Sequence, residues 1–483
     1  MILGWSEGFH DAGAAVIDDS GTILFATHSE RFSGKKHEKY ISKECKDYID
    51  STYGRKIVRK AFYERPLLKK TRQLYAGQYS TVFSPRKMAW KPTHTFPHHL
   101  SHAAAAFQTS PYNEAAAVVV DAIGEWDCTS IWKCSYNEAG EAQYKKVYSE
   151  RYPKSIGLWY TALTKYVGLK PLDEEYIFMG MAAFGKYDAN IEDSLSMLLN
   201  NGYNLHRGIH NELGNHYGLS MCKSEDLAFN AQTVLERKLK SVFDKALTYS
   251  DKIVYGGGVA LNCVANSKLY EQCEGNLWIM PNPGDAGGAL GAACLAYGKK
   301  VTWTSPYLGY WIPNVRTSAQ IVKDVCDELE TKGMVGLAWG KAEYGPRALG
   351  NRSLLADPRG PKVKDLVNTV KRRQKFRPFA PAILEEHAKD YFDGPTSRYM
   401  QTVSVCKKTD ELPAIVHADG SSRVQTVSKG CATILRTVLE EWHRRTGCPV
   451  LLNTSLNIRG EPMVHSTDSA IRFEKEYNVK VIF

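Results

Sequence analysis

Short runs of apolar and β-branched residues, punctuated by turn-forming clusters, set the pattern of the first thirty positions. Ile2–Trp5, Ala14–Ile17 and "TILFATH" (22–28) read as strands, and "DDSG" at 18–21 reads as the turn between the last two. Asp, Ser and Gly between β-formers are a hairpin signal. The same grammar returns downstream: strand "AAVVVD" (116–121), loop "AIGEWD", strand "CTSIWKCSY", turn "NEAG" and strand "AQYKKVY" (142–148). This is a repeat of architecture without a repeat of sequence. Two such strand–loop–strand units predict a duplicated α/β fold whose loops hold one ligand from two sides. Between them, Pro97 and the alanines of "FPHHLSHAAAAF" (96–107) predict a helix start, since Pro suits the first turn and Ala favours helix. Residues 155–250 read mainly as helices and loops, with a polar stretch at 199–217. "IVYGGGVALN" (253–262) is a strand entering three glycines and then a helix, and "NPGDAGGALGAACLAYG" (282–298) is a turn followed by a helix of small residues. "TWTSPYLGYWIP" (302–313) reads as a linker. The predicted division is therefore residues 1–305 and 306–483.

At 483 residues the chain exceeds one ordinary core, which agrees with that division. No window approaches about 20 uninterrupted apolar residues, so no membrane span is expected. The opening "MILGWSEGFHDAG" lacks the basic start and apolar run of a signal peptide. Eleven cysteines without a CxxC pair fit reduced thiols and a cytoplasmic location. The net charge of +10 is concentrated in "VRKAFYERPLLKKTR" (58–72) and "KRRQKFR" (371–377). The first stretch reads either as a solvated helix face or as a surface for a polyanion.

The histidine run carries the first candidate chemistry. On a helix His98 and His102 lie four apart and share one face, whereas His99 points about 100° away. Such a pair is either half of a metal site or a buried, hydrogen-bonded couple. No Glu follows the first His, which argues against a zinc protease. Asp121 ends an apolar strand and Asp285 sits in "PGDAGG". Two imidazoles with two carboxylates would suit Fe(II), Mn or Zn better than Mg or Ca. "DAIGEWD" (121–127) and "GGGVALN" (256–262) are glycine-containing loops that either offer N–H groups to phosphates or are ordinary tight turns. In the second half, Arg347, Arg352 and Arg359 stand among Gly and Pro, followed by Lys375 and Arg377 in "KFRPFAP". Guanidinium groups on a stiff backbone suit a small anion; an exposed basic loop is the alternative. "NTSLN" (453–457) supplies hydroxyl and amide groups after a strand. His10, in the first loop, is either structural or a general base.

Taken in order, "GFHDAGAAVI", "HHLSHAAAAF", "VVVDAIGEWD", "GGGVALN", "GDAGGALGAA", "GPRALGNRSLLADPR", "FRPFAP" and "NTSLNIRGEP" resemble the O-carbamoyltransferases of the nodulation-protein-U, cephalosporin and tobramycin type. The resemblance implies an N-terminal part with a duplicated actin/hexokinase-like ATPase (RNase H-like) core, similar to the tRNA threonylcarbamoyl transferase fold. It implies a YrdC-like α/β domain after it. It implies that carbamoyl phosphate and ATP, the latter with Mg2+, yield carbamoyl adenylate in the second domain. The carbamoyl group then passes, with the help of a metal, typically Fe(II), to a hydroxyl of an acceptor bound by the first. By motif match His98, His102, Asp121 and Asp285 would hold the metal. Gly124, Glu125, Gly256, Gly257, Gly258 and Asn262 would contact the adenylate. Arg347, Arg352, Ser353, Lys375, Arg377, Asn453 and Ser455 would bind carbamoyl phosphate and ATP, and His10 would deprotonate the acceptor. His99 is left to packing or to support of the metal ligands. Ala122 stands where the family prefers Gly and Ile177 where it usually carries Lys, and the chain is short in its middle. The acceptor class stays open: a sugar, another small molecule, or, from the basic stretch at 58–72, an anionic nucleotide-like one. A homodimer is compatible with all of this. The competing readings are a tRNA threonylcarbamoyladenosine transferase and a non-catalytic nucleic-acid-binding module.

Overall fold

The computed structural model describes residues 1–82, 88–208, 219–313, 316–374 and 377–483. The fold is mixed α/β. Met1–Gly8, Gly13–Ile23 and Tyr53–Trp303 form one compact unit; Phe9–Ala12, Leu24–Thr52 and Thr304–Phe483 form another.

In the first unit, β1 (Ile2–Ser6) pairs antiparallel with β2 (Gly13–Ile17) and parallel with β3 (Arg59–Phe62), which pairs parallel with β4 (His94–Thr95). A second sheet repeats that order. Its β5 (Glu114–Val120) pairs antiparallel with β6 (Asp127–Tyr136), which pairs with β7 (Ala142–Arg151). On its other side β5 runs parallel to β8 (Ile253–Gly256), and β8 to β9 (Leu277–Ile279). Ala115 to Val120 are all buried. The period-two alternation of a strand explains the uninterrupted apolar run, because both faces are covered. Ala115, Ala117 and Val119 pack on Ala103, Ala106 and Phe107 of helix α1 (His98–Gln108). Ala116, Val118 and Val120 face a core containing Trp159, Phe243 and Tyr255.

Helix α2 (Asp285–Tyr297) crosses α1 at very short range, which its small residues allow. A Cβ on Gly291 would lie 1.8 Å from Ser101 O of α1. This contact fixes where the N-terminus of α2, and hence Asp285, stands against the histidine face.

The second unit holds a six-stranded mixed sheet. Its order is Gln425–Val427, Ala380–Leu384, Val450–Ser455, Arg352–Ala356, Met334–Ala338, Val481–Ile482. Helices Ser318–Lys332 and Leu435–Thr446 cover one face through Ile321, Val325, Val438 and Trp442. Val367 of helix α3 (Val363–Lys371) joins the core on the other. The supposed linker at 302–313 is in part a strand. Tyr307–Ile312 pairs antiparallel with Gly340–Glu343 within this unit. Its aromatic and β-branched residues favour an extended chain once a partner strand is near. Each of the eleven cysteines is free. Among the described residues no helix is long and apolar enough to cross a membrane.

Replacing Gly291 by Ala should destabilise the first unit by about 2 kcal/mol or more, because backbone must move to admit the methyl group. Gly284→Ala, whose Cβ would have no neighbour nearer than 4.0 Å, should cost under about 1 kcal/mol. Thermal unfolding of the two variants checks the difference.

Candidate active site

Helical spacing places His98 and His102 one above the other on α1, both buried. Their Nε2 atoms face each other at 3.0 Å. Asp121 follows β5 and Asp285 opens α2, so strand end and helix start deliver one carboxylate each. Asp121 Oδ2 lies 2.9 Å from His98 Nε2 and 3.6 Å from His102 Nε2. Asp285 Oδ1 lies 3.4 and 3.5 Å from the same two atoms. Donors about 2.1 Å from a common centre stand about 3.4 Å apart on a tetrahedron and about 3.0 Å apart at neighbouring corners of an octahedron. The spacings, 2.9 to 3.6 Å, lie within about 0.2 Å of these values, so the four residues could hold a transition-metal ion.

The electrostatics agree. Burial works against a charged imidazole, yet Asp285 and Asp121 hold His98 well above the ordinary histidine range. His102 is raised too: burial opposes, and the same two carboxylates prevail. Burial would lift Asp121, but hydrogen bonds from His102 and His98 hold it well below its usual value. The cluster therefore demands positive charge at its centre, from protons or from a cation. His99, turned away, has the opposite fate: burial and the neighbouring His98 charge push it well below the usual value, and its Nδ1 meets Ser130 Oγ at 2.8 Å.

The glycine loops position this cluster. Asp121 Oδ1 accepts Ala122 N–H at 2.8 Å and Gly258 N–H at 3.1 Å, which turns Oδ2 toward the histidines. Gly257 has φ +92°, and a Cβ there would lie 2.2 Å from Val120 O. Only glycine suits both demands. Gly256 lies against the His102 backbone, and Gly124 against the His98 and His99 side chains. Pro97 gives α1 no side-chain cap, and Glu125 supplies one from the neighbouring loop. Its Oε1 accepts His98 N–H at 3.0 Å and Arg65 N–H at 2.8 Å. Asn262 caps the helix Cys263–Gln272 and shares two hydrogen bonds with Gln232. Ile177 is core.

His10 belongs to the second unit, where its Nδ1 lies 2.9 Å from Asp11 Oδ2. The arginines there divide by environment. Arg352 is fully buried and donates to the carbonyls of Trp339, Asn351, Tyr310 and Gly340. Burial lowers it to about 10, with Glu343 opposing. Its guanidinium ties backbone together and presents no exposed atom to a ligand. Arg359 forks onto Asp357, with Nε and an Nη each 2.9 Å from a carboxylate oxygen. Ser353 Oγ accepts Gly350 N–H at 3.0 Å, and Asn453 Nδ2 donates to Gln425 Oε1 at 2.7 Å. Arg347 and Arg377 are half-buried. Lys375 lies outside the described residues, as do positions 209–217 of the polar stretch.

Sequence reasoning passed over Lys371. Its Nζ donates to Ser455 O at 2.5 Å, Ser455 Oγ at 3.1 Å and Asn457 Oδ1 at 2.6 Å, and none of these is an anion. Burial, then Arg373 and Arg377, push this lysine well below its usual value. A bound anion would relieve both causes. The available signal was helical period: Lys371 lies four after Val367 and three after Asn368, on the buried face of α3. Arg31 and Glu343 were also missed. Arg31 donates to Glu343 O and to Gly345 O, while Glu343 Oε1 accepts the N–H groups of Leu349, Asn351 and Arg352. Together they set the loop bearing Arg347. The basic stretch at 58–72 is partly internal: Lys69 is buried against Glu64 at 3.1 Å and Arg72 against Gln78 at 2.9 Å.

Comparison with known proteins adds the family. Residues 38–294 match the model of the carbamoyltransferase N-terminus and residues 326–483 that of the carbamoyltransferase C-terminus. The chain belongs to the carbamoyltransferase family. This carbamoyltransferase is 31% identical to an uncharacterised protein of Synechocystis, over 98% of the chain and 93% of that protein. It is 30% identical to the nodulation protein NolNO of Sinorhizobium fredii, over 96% of the chain and 76% of that protein. Among solved structures it is similar to an activator of 2-hydroxyisocaproyl-CoA dehydratase from Clostridium difficile, at 12% identity and a TM-score of 0.36, over 61% of the chain and 94% of that protein. A score of that size does not establish a shared fold.

Titration of the metal-stripped enzyme with Fe(II), Mn(II) or Zn(II) should show one tight site. His102→Ala should weaken it at least about 100-fold, consistent with the loss of an inner ligand.

Proposed function

We propose that the enzyme is an ATP-dependent O-carbamoyltransferase working in two half-reactions. The observation that carries this reading is the pairing, within one carbamoyltransferase chain, of a buried cluster that could hold a cation and a buried lysine, Lys371, under the influence of Arg373 and Arg377. The second unit, read as YrdC-like, takes carbamoyl phosphate at Lys371, Arg377, Arg347 and Ser455. Water cleaves it to carbamate and phosphate, and a carbamate oxygen then displaces pyrophosphate from the α-phosphorus of ATP to give carbamoyl adenylate. The clustered cations there bind the leaving phosphates, and enclosure keeps bulk water from the mixed anhydride.

The first unit, read as a duplicated actin-like ATPase fold, receives the adenylate. His98, His102, Asp121 and Asp285 would hold an ion, Fe(II) in this reading, which when bound supplies Lewis-acid polarisation of the carbamoyl oxygen and charge to offset the leaving phosphate. The 256–258 loop lies beside that cluster, with Gly258 N–H donated to Asp121 Oδ1 and Gly257 N–H to Pro283 O, and Gly124 lies against its histidines. His10, in the second unit, is read as the base for the acceptor hydroxyl. Mg2+ accompanies ATP. The acceptor is a hydroxyl-bearing small molecule. Lys69 and Arg72 are buried whereas Arg59 and Arg65 are exposed, so the basic stretch supports an anionic acceptor only in part. Membership of the carbamoyltransferase family counts against a module without catalysis, and a tRNA threonylcarbamoyl transferase would not need the C-terminal unit.

Incubation with carbamoyl phosphate and ATP should release pyrophosphate; an enzyme supplied with metal that releases none refutes the proposal. Lys371→Met should weaken carbamoyl phosphate binding about 10- to 100-fold, the loss of charge-assisted hydrogen bonds to an anion. His102→Ala should still release pyrophosphate but fail to pass a labelled carbamoyl group to any compound in a metabolite mixture, read by mass.

A further inference from the structure

Asp11 stands between two imidazoles. Its Oδ2 lies 2.9 Å from His10 Nδ1 and its Oδ1 2.9 Å from His37 Nδ1. All three side chains belong to the second unit and are about a quarter exposed. The backbone accepts strain to reach this arrangement: Asp11 has φ +50° and His37 φ +55°, both left-handed and neither glycine. Such residues persist where the surroundings over-determine them. Here Ala12 N–H donates to Glu38 O at 2.8 Å, Ser29 N–H to Ala12 O at 2.7 Å, and His37 N–H to Glu30 Oε2 at 2.8 Å.

Asp11, Glu30 and His37 also bring three donor atoms within 4.8 Å of one another, as a cation site would. Lys36 Nζ, 3.6 Å from Glu30 Oε1, already puts a positive charge there, and Asp11 gives its other oxygen to His10. Proton placement explains the cluster better. An ionised carboxylate only accepts hydrogen bonds, so each facing Nδ1 carries a proton, and a ring in its neutral form then has its lone pair on Nε2. Burial would lift the Asp11 carboxyl, but the two imidazoles hold it below the usual range, so it is ionised.

We infer that Asp11 is a positioning residue that fixes His10 as the Nδ1–H tautomer, with His37 anchoring the far carboxylate oxygen. The inference rests on the reading of His10 as the base of the transfer step. As that base, His10 would receive the acceptor's hydroxyl proton on Nε2. Asp11 then faces an imidazolium, which its charge stabilises, as in hydrolytic triads.

The test is the nitrogen NMR spectrum of the full chain labelled with 15N-histidine, at a pH where imidazoles are neutral, with His10 assigned by its loss in His10→Gln. The wild-type protein should show His10 mainly as Nδ1–H. Asp11→Asn should cut that form to a minority, and His37→Gln should reduce it part-way. A wild-type His10 protonated on Nε2 overturns the inference even if Asp11→Asn does not fold. An unchanged tautomer in folded Asp11→Asn also overturns it, and an unchanged tautomer in His37→Gln removes the anchoring role. Pyrophosphate release tests the underlying two-step reading separately and is untouched by these spectra.

Discussion

Four ionisable side chains with their charges turned inward govern the first unit. Burying an ion costs several kcal/mol unless a counter-charge or hydrogen bonds offset it, and His98, His102, Asp121 and Asp285 satisfy one another only if they converge. Every nearby feature serves that convergence. The four-residue spacing on α1 stacks the imidazoles, the close crossing at Gly291 brings the start of α2 to them, and two backbone N–H groups hold the inner oxygen of Asp121. Glu125, by capping α1, ties the loop after Asp121 to the helix that carries the histidines. The result is a buried cluster of fixed geometry whose four donors could hold a cation.

The second unit poses the opposite problem and solves it in two ways. Arg352 and Arg31 spend their guanidinium groups on carbonyl oxygens and lie near Glu343, so they are framework. Lys371 is buried among neutral acceptors, with two arginines making its charge still less favourable. In the proposed reaction an incoming anion would offset that cost, whereas Arg352 has its carbonyl partners already in place. Composition cannot draw the distinction, because Arg352 and Arg347 stand five positions apart in the same glycine-rich loop sequence.

Much of the site was legible because its signals are local. Helical period separated His98 and His102 from His99, and the end of an apolar strand marked Asp121. The hairpin grammar of 1–28 and 116–148 likewise showed the repeated strand order. Other readings failed where the decisive partner is remote in sequence. The run at 302–313 reads as a linker until Gly340–Glu343 pairs with it. Lys69 reads as a solvated charge until Glu64 is seen beside it in a buried pair.

The amino-acid order by itself determined the elements, the periodic faces and the ordered motifs of a carbamoyltransferase, because these depend on neighbours within a few residues. Only the tertiary structure decided which charges meet an opposite charge and which meet a carbonyl. That outcome depends on burial and on distances between segments hundreds of residues apart, as with Arg31 and Glu343. For the same reason it showed His37 on the far side of Asp11, where the chain must adopt two left-handed residues to bring the imidazoles to one carboxylate.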